Sequence, residues 1–528
     1  MKETTPYLTI LKQSQKTPYS KSIVYMGHHL TFKQFIEHID NFAFGLQELG
    51  VKKGDAITIV LPNIPNSAVA FYAASKLGAV AHMVHPFNPP PVIEKSMQAC
   101  NSRILLLFDQ LLPPHHALVG NKDITTISCS GGDYPSRHAN IAPIKENVLN
   151  YNKIVTAKPK KEIKPAADAE ALCCYLHSGG TTDAPKIIEI QNKALNFIST
   201  MWGEIYNFKS EEEVAAKSVL SVLPIFHSFG LGLLFHACIS KGMRAVLVPK
   251  FEPDQVIDII KTEKINIMGG VPTMYQALAM HPLFSGDAVK SIEVPIVGGD
   301  FLSPAIEDAF NKKLKDAGSC GRLFDGLGLS ETAGVSTANV PWSSKKGSVG
   351  RAFANIKLRI VDLETKKLCP TGECGEVCVH SPSLMKGYLN DKKATDNAFI
   401  TLDGKKFVRT GDYGHIDEDG FLFLKQRIKH IIIVSGINVY PAEIEGIVNR
   451  IQGVELSVAI GIPDERKGNV VKLFVKVRNG VTADEALTDK ILKSCKGNLL
   501  PHAVPKAIAF VDNMPMTLLG KVDFTKLS

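Results

Sequence analysis

Apolar residues in the first part of the chain recur with two different periods. Phe32, Phe35, Ile36, Ile39, Phe42, Ala43, Leu46 and Leu49 fall on one face of a 3.6-residue helix. Thr31 with Gln34 forms a capping box at its start, and Gly50 ends it. The continuous apolar run from Ala56 to Leu61 predicts a buried strand. A second helix is expected from about Asn66 to Leu77, stopped by Gly78, and another apolar run begins at Ala79. Strand, helix and strand in this order imply a parallel, helix-covered sheet.

The alternation resumes after a basic, proline-flanked stretch between Ala157 and Pro165 that reads as a linker. Ala171 to Leu176 and Ile187 to Ile190 read as strands either side of a loop. Further strands are predicted near Val219 to Leu223, Ala245 to Val248, Ile265 to Met268 and Val294 to Val297, and Ser303-Pro304 resembles an N-cap followed by proline at the first helical position. This is a second doubly wound unit. From about Ser348 to Leu424 the pattern shortens to alternating strands such as Lys357 to Val361 and Glu376 to His380, a small β-rich subdomain. Beyond Arg427, a helix from about Ala442, strands near Ser457 to Gly461 and Val470 to Val477, and an exposed helix near Ala483 to Leu492 make a compact α+β unit. The expected fold is α/β. A large N-terminal domain, residues 1–425, holds two doubly wound subdomains and the β-rich one, and an α+β domain follows over residues 426–528.

Length and composition narrow the class. At 528 residues the chain is too long for one core and suggests roughly three to four compact units. Sixty basic against 52 acidic residues give a formal charge of +8, scattered along the chain, which suits anionic small ligands rather than nucleic acid. The ten cysteines lack metal-ligand spacing: Cys173 and Cys174 are adjacent, and Cys374 and Cys378 lie four apart in an expected strand. Reduced core thiols and a cytoplasmic location are therefore expected. The start, Met1 to Pro6, has no apolar signal region, and the run from Phe229 to Ile239 is too short and too glycine-broken to span a bilayer.

The candidate chemistry centres on Tyr175-Leu176-His177-Ser178-Gly179-Gly180-Thr181-Thr182-Asp183-Ala184-Pro185-Lys186. Two glycines allow close backbone approach, Ser178, Thr181 and Thr182 supply hydroxyls, and Lys186 supplies positive charge, a combination suited to a polyphosphate. Such a cluster alone is often only a surface turn. It is not a Walker loop, because no Gly-Lys-Ser/Thr follows at the required spacing.

The stretch resembles the phosphate loop of the adenylate-forming superfamily, which contains acyl- and aryl-CoA synthetases, peptide-synthetase adenylation domains and firefly-type luciferases. Asp183 stands where that family usually has glycine. Six further stretches follow the family's order, and the resemblance extends from about Thr31 to the end of the chain. Gly326-Leu327-Gly328-Leu329-Ser330-Glu331 resembles the segment whose hydroxyl meets the α-phosphate, whose Glu helps hold Mg²⁺ and whose aromatic, here Leu327, lies against adenine. Gly298-Gly299-Asp300 resembles the turn bordering adenine and the acyl pocket, and Thr410-Gly411-Asp412 the carboxylate that accepts both ribose hydroxyls. Gln426-Arg427, with Gly436 beyond, resembles the hinge, the nucleotide-contacting arginine and the pantetheine path; rotation there makes the C-terminal domain mobile. Pro515 to Lys521 resembles the segment carrying the adenylation lysine, Lys521. Pro224 to Gly230 resembles the segment whose histidine, here His227, sits at the carboxylate end of the acyl tunnel.

The resemblance implies ATP, Mg²⁺ and CoA as cofactors, with Lys521, Thr181 and His227 as catalytic groups. The reaction it implies is a two-step ligation in which a carboxylic acid becomes an acyl-AMP and then a thioester. A fatty or other apolar acid is expected from the apolar run after His227. Three alternatives stay open: transfer to an acyl carrier protein instead of CoA, a non-catalytic nucleotide binder, and a luciferase-like oxygenase.

Overall fold

A computed structural model describes residues 4–134, 148–156, 162–178, 186–206, 208–517 and 522–527. The helix Phe32–Glu48 carries the expected capping box: Thr31 accepts from the Gln34 amide while the Gln34 side chain accepts from the Thr31 amide. Its apolar face is buried from Phe32 to Leu46, but Leu49 lies past the helix end and is 37% exposed. The helix Pro65–Leu77 is buried almost all round and ends on Gly78, whose φ of 70° is left-handed.

Two large sheets form the N-terminal body. The first runs in the order Gly387–Tyr388, Ile187–Gln191, Leu172–His177, Val80–Met83, Ala56–Val60, Ile104–Phe108, Thr125–Cys129, Val148–Asn150. Its last six strands are parallel, and the two at the other edge are antiparallel. The second has nine strands. Its parallel centre comprises Phe324–Leu329, Val294–Val297, Ile267–Gly270, Ser218–Ser221, Arg244–Leu247 and Lys21–Tyr25. The antiparallel strands Gly334–Ala338 and Arg351–Ala352 flank one end, and His28–Thr31 flanks the other. Lys21–Tyr25 pairs with Arg244–Leu247, strands that lie in different wound units of the sequence, so the chain's first hairpin belongs to a sheet otherwise built much later.

The β-rich part is a five-stranded antiparallel sheet: Lys357–Val361, Gly375–His380, Lys405–Ile416 and Phe399–Leu402, with Leu422–Arg427 paired to Lys405–Ile416. One apolar core runs through both large sheets, from Tyr7 to Leu422. A separate one, from Ile432 to Val504, lies between the three-stranded sheet Val454–Asp464, Gly468–Val477, Ala507–Phe510 and the helices Pro441–Val448 and Glu485–Asn498. The apolar run after His227 forms a π-helix, Phe229–His236, whose leucines are all buried. Among the described residues no helix is long and apolar enough to cross a membrane, and no group of three or more His, Cys, Asp or Glu gathers as a metal site.

Candidate active site

A cleft of about 1390 Å³ opens where the two large sheets, the β-rich sheet and the C-terminal unit meet. Its walls include Ser178, Lys186, His227, Gly299, Asp300, Gly326, Leu327, Gly328, Ser330, Glu331, Asp412, Gln426 and Arg427. Residues scattered over some 250 positions of sequence thus share one cavity.

Ser178 and Lys186 close the base of the candidate phosphate loop. The Ser178 amide donates to the Lys186 carbonyl at 2.9 Å, and the Lys186 amide donates to Ser178 Oγ at 3.0 Å. Gly179, Gly180, Thr181 and Thr182 lie outside the described residues. The strand end that delivers Ser178 is fixed by a buried hydrogen-bond chain. Ser102 Oγ donates to backbone carbonyls, and Thr58 Oγ1 donates to Ser102 at 2.8 Å. Having spent its proton, Thr58 accepts from His82 Nδ1 at 3.0 Å. His82 Nε2 is then an acceptor, and His177 Nε2–H donates to it at 3.0 Å. Burial holds both imidazoles neutral, pushing His177 down to about 4 and His82 well below its ordinary value.

The second sheet supplies Ser330 and Glu331 from a 3-10 turn after Phe324–Leu329. Ser330 is 7% exposed, with its Oγ 3.4 Å from Ser228 Oγ, so the His227 segment and the Ser330 turn meet. His227 Nδ1 accepts from the Phe229 amide at 3.3 Å. Glu331 Oε1 accepts from the Tyr388 hydroxyl at 2.9 Å, and burial followed by the neighbouring Glu331 charge raises the phenol's pKa, keeping it a donor. Lys186 Nζ sits 5.0 Å from the centre of the same ring.

Gly298 does not itself line the cleft; a side chain there would come 3.2 Å from the Gly326 carbonyl and 3.5 Å from the Phe229 ring, so glycine permits the close packing. Leu327 lines the cleft but is only 6% exposed, leaving little side-chain surface for a base. Gly436 lies apart: it forms, with Ser435, the left-handed turn between the short strands Ile432–Val434 and Ile437–Val439, outside the cleft. Lys521 lies outside the described residues; of its neighbours in sequence, Met516 pairs with Val522, and Val522 lines the cleft.

The strand Lys405–Ile416 presents Asp412, 5% exposed, to Arg427 of the adjacent strand, with Oδ1 and Nε 3.0 Å apart. Arg427 also donates to the Thr410 carbonyl at 2.9 Å. Both amide atoms of Gln426 are buried and lack a hydrogen-bond partner among the described residues. Sequence reasoning missed Asp325, whose carboxyl burial pushes up to about 8, and Glu445, pushed up to about 7; both face the cleft. It also missed Tyr388, whose edge strand pairs with a partner some 200 residues earlier. A lone Gly-Tyr carries no local signal for such a contact.

The residues present fit a nucleotide and a divalent cation. Asp412 gives a buried acceptor, Lys186 and Arg427 give positive charge, and Glu331 gives one hard carboxylate, enough for an ion that takes its other ligands from phosphates and water. This is the chemistry of an adenylate-forming site.

The comparisons with known proteins agree. The family model of the AMP-binding enzyme matches residues 10–389, and that of the AMP-binding enzyme C-terminal domain matches residues 443–521. A long-chain-fatty-acid–CoA ligase of Bacillus subtilis (strain 168) is 30% identical over 96% of this chain and 90% of its own length. 4-coumarate–CoA ligase 4 of Arabidopsis thaliana is 28% identical over 94% of this chain and 85% of its own. ATP-bound MatB from Rhodopseudomonas palustris aligns with a TM-score of 0.87 at 23% identity, covering 99% of this chain and 98% of that one. The anthranilate CoA ligase AuaEII in complex with anthranoyl-AMP aligns with a TM-score of 0.88 at 23% identity, covering 100% and 97%. The chain belongs to the AMP-binding enzymes, the adenylate-forming superfamily of acyl- and aryl-CoA ligases.

Proposed function

We propose that the protein joins a carboxylic acid to CoA at the expense of ATP, and that its acid is a fatty or similarly apolar one. The observation that carries this reading is the single cleft uniting Lys186, His227, Ser330, Glu331, Asp412 and Arg427. In the first step a carboxylate oxygen attacks the α-phosphorus, the bond to pyrophosphate breaks, and acyl-AMP forms. In the second a thiolate sulfur attacks the acyl carbon and AMP leaves. Asp412 accepts the ribose hydroxyls, Arg427 and Lys186 offset phosphate charge, and Ser330 meets the α-phosphate. His227 marks the carboxylate end of the acid. Mg²⁺, held by Glu331, neutralises charge on the phosphates when bound. Lys521, with Thr181 in the phosphate loop, stabilises the charge that builds as two anions are brought together.

We propose a domain boundary between residues 425 and 426; the end of one apolar core at Leu422 and the start of the other at Ile432 support it. Gln426 supports a second orientation of the C-terminal domain, in which Gly436 reaches the site. An amide with no partner costs about 1–3 kcal/mol, and rotation at this point would release it.

The fatty-acid ligase relative favours an apolar acid. The 4-coumarate ligase relatives favour an aryl acid as the second reading. Transfer to a carrier protein remains the alternative acceptor. The test is AMP release from ATP with a panel of fatty and aryl acids, with and without CoA, on the wild type and Lys521→Ala. AMP release requiring both acid and CoA is expected, with the lysine variant slower by about a hundredfold, the scale of one lost charge-stabilising group. Turnover with no acid of the panel would overturn the ligase reading, and acyl-AMP that accumulates with CoA untouched would favour the carrier protein.

A further inference from the structure

We propose that Tyr388 is a positioning residue of the adenylation step: one side chain holds the Glu331 carboxylate through its hydroxyl and seats the Lys186 ammonium on its ring face. This rests on the reading of Glu331 as the metal carboxylate. Three segments far apart in sequence meet at the phenol. Gly387–Tyr388 pairs antiparallel with Glu189 and Ile188, two residues beyond Lys186, which fixes the ring's distance from that lysine. The Tyr388 amide donates to Thr395 Oγ1 at 2.8 Å, anchoring the short strand on its far side. The Met385 amide donates to the Glu331 carbonyl at 2.8 Å, while the Tyr388 hydroxyl donates to Glu331 Oε1 at 2.9 Å. Glu331 is therefore gripped at its backbone and its carboxylate by residues 385–388.

The chemical consequence concerns two opposite charges. Lys186 and Glu331 both line the cleft, where a direct ion pair between them would tie up the lysine and neutralise the carboxylate. Tyr388 separates these tasks. Its hydroxyl satisfies one carboxylate oxygen with a neutral donor, which preserves the negative charge a cation needs. Its ring attracts the ammonium through the quadrupole without a counter-charge, which preserves the positive charge a phosphate needs. Held in this way, both groups await the nucleotide in fixed positions and with their charges unspent.

The experiment measures ATP affinity by titration calorimetry, with excess Mg²⁺ and with EDTA, on the wild type, Tyr388→Phe, Tyr388→Leu and Glu331→Gln, after thermal melting has checked that each variant folds. Tyr388→Phe keeps the ring and loses the hydroxyl. The gain in ATP affinity brought by Mg²⁺ should shrink about tenfold, the scale of one hydrogen bond to a charged group, while affinity in EDTA stays at the wild-type value. Tyr388→Leu loses the ring as well, and its affinity in EDTA should also fall, by about fivefold. If Glu331→Gln loses the Mg²⁺ gain and Tyr388→Phe keeps it, the role assigned to Tyr388 is wrong. If Glu331→Gln keeps the gain, Glu331 is not the metal carboxylate, and the reading on which this role rests fails first.

Discussion

His177 stands immediately before Ser178 and illustrates how a single buried group sets a solution property. Its imidazole is held neutral by burial, with a pKa pushed down to about 4, whereas in the unfolded chain a histidine titrates near 6.5. Between those values the unfolded state binds the extra proton, so stability due to His177 is present above about pH 6.5 and is lost as pH falls towards 4. Replacing it by His177→Gln removes that dependence. The wild-type advantage over the variant should fall by up to about 1.4 kcal/mol per pH unit through this window, read from denaturant midpoints at pH 7.5, 6 and 5. A difference that stays flat would mean that the His82–His177 pair is protonated in the fold. At this scale the legible residues were those in contiguous motifs. Thr410-Gly411-Asp412 and Ser330-Glu331, which line the cleft, could be singled out because each is a run of neighbours in sequence. Tyr388, Asp325 and the His82–His177 chain could not, because their partners arrive from other strands.

The π-helix Phe229–His236 shows the same limit one level up. Its apolar run was visible, but nothing local marks its hydrogen bonding as widened or brings Gly232 against the Ser330 turn. A side chain at Gly232 would come 2.6 Å from the Ala333 carbonyl, and Ala333 is itself left-handed, with φ of 55°. Gly232→Ala must therefore displace the backbone that carries Ser330 and Glu331. The expected result is a fall in kcat of about tenfold or more, the usual outcome when positioned groups shift by a fraction of an ångström, while far-UV circular dichroism stays native. Unchanged kcat would show that the turn accommodates the methyl group. Other elements were legible because their signals are local. The capping box of Phe32–Glu48, Gly78 after Pro65–Leu77 and Ser303 before Pro304–Asp316 all act within one turn of helix.

At the scale of the molecule, the two separate cores have a thermodynamic consequence. The core from Tyr7 to Leu422 and that from Ile432 to Val504 share no apolar cluster, so each can melt by itself. Scanning calorimetry should resolve two transitions. The smaller should carry about 60–80 kcal/mol, as expected for about a hundred residues, and ATP should move the transitions closer by binding in the cleft they share. One transition, unchanged by ATP, would mean that the C-terminal unit is not an independent folding unit.

The alternation of helices and strands, the two wound units, the β-rich insert, the terminal α+β unit and the family resemblance were all readable from the order of residues. Periodicity, caps and motif order are written within a few residues of one another. Which strands became neighbours emerged only in the folded chain: Lys21–Tyr25 crosses to Arg244–Leu247, and Gly387–Tyr388 closes the edge beside Ile187–Gln191. So did how far each side chain at the cleft is drawn into the core, as Leu327, 6% exposed, largely is. The physical reason is that strand pairing and charge placement depend on groups brought together from distant parts of the chain. Their free energies exist only once the chain has closed, and no local pattern of residues encodes them.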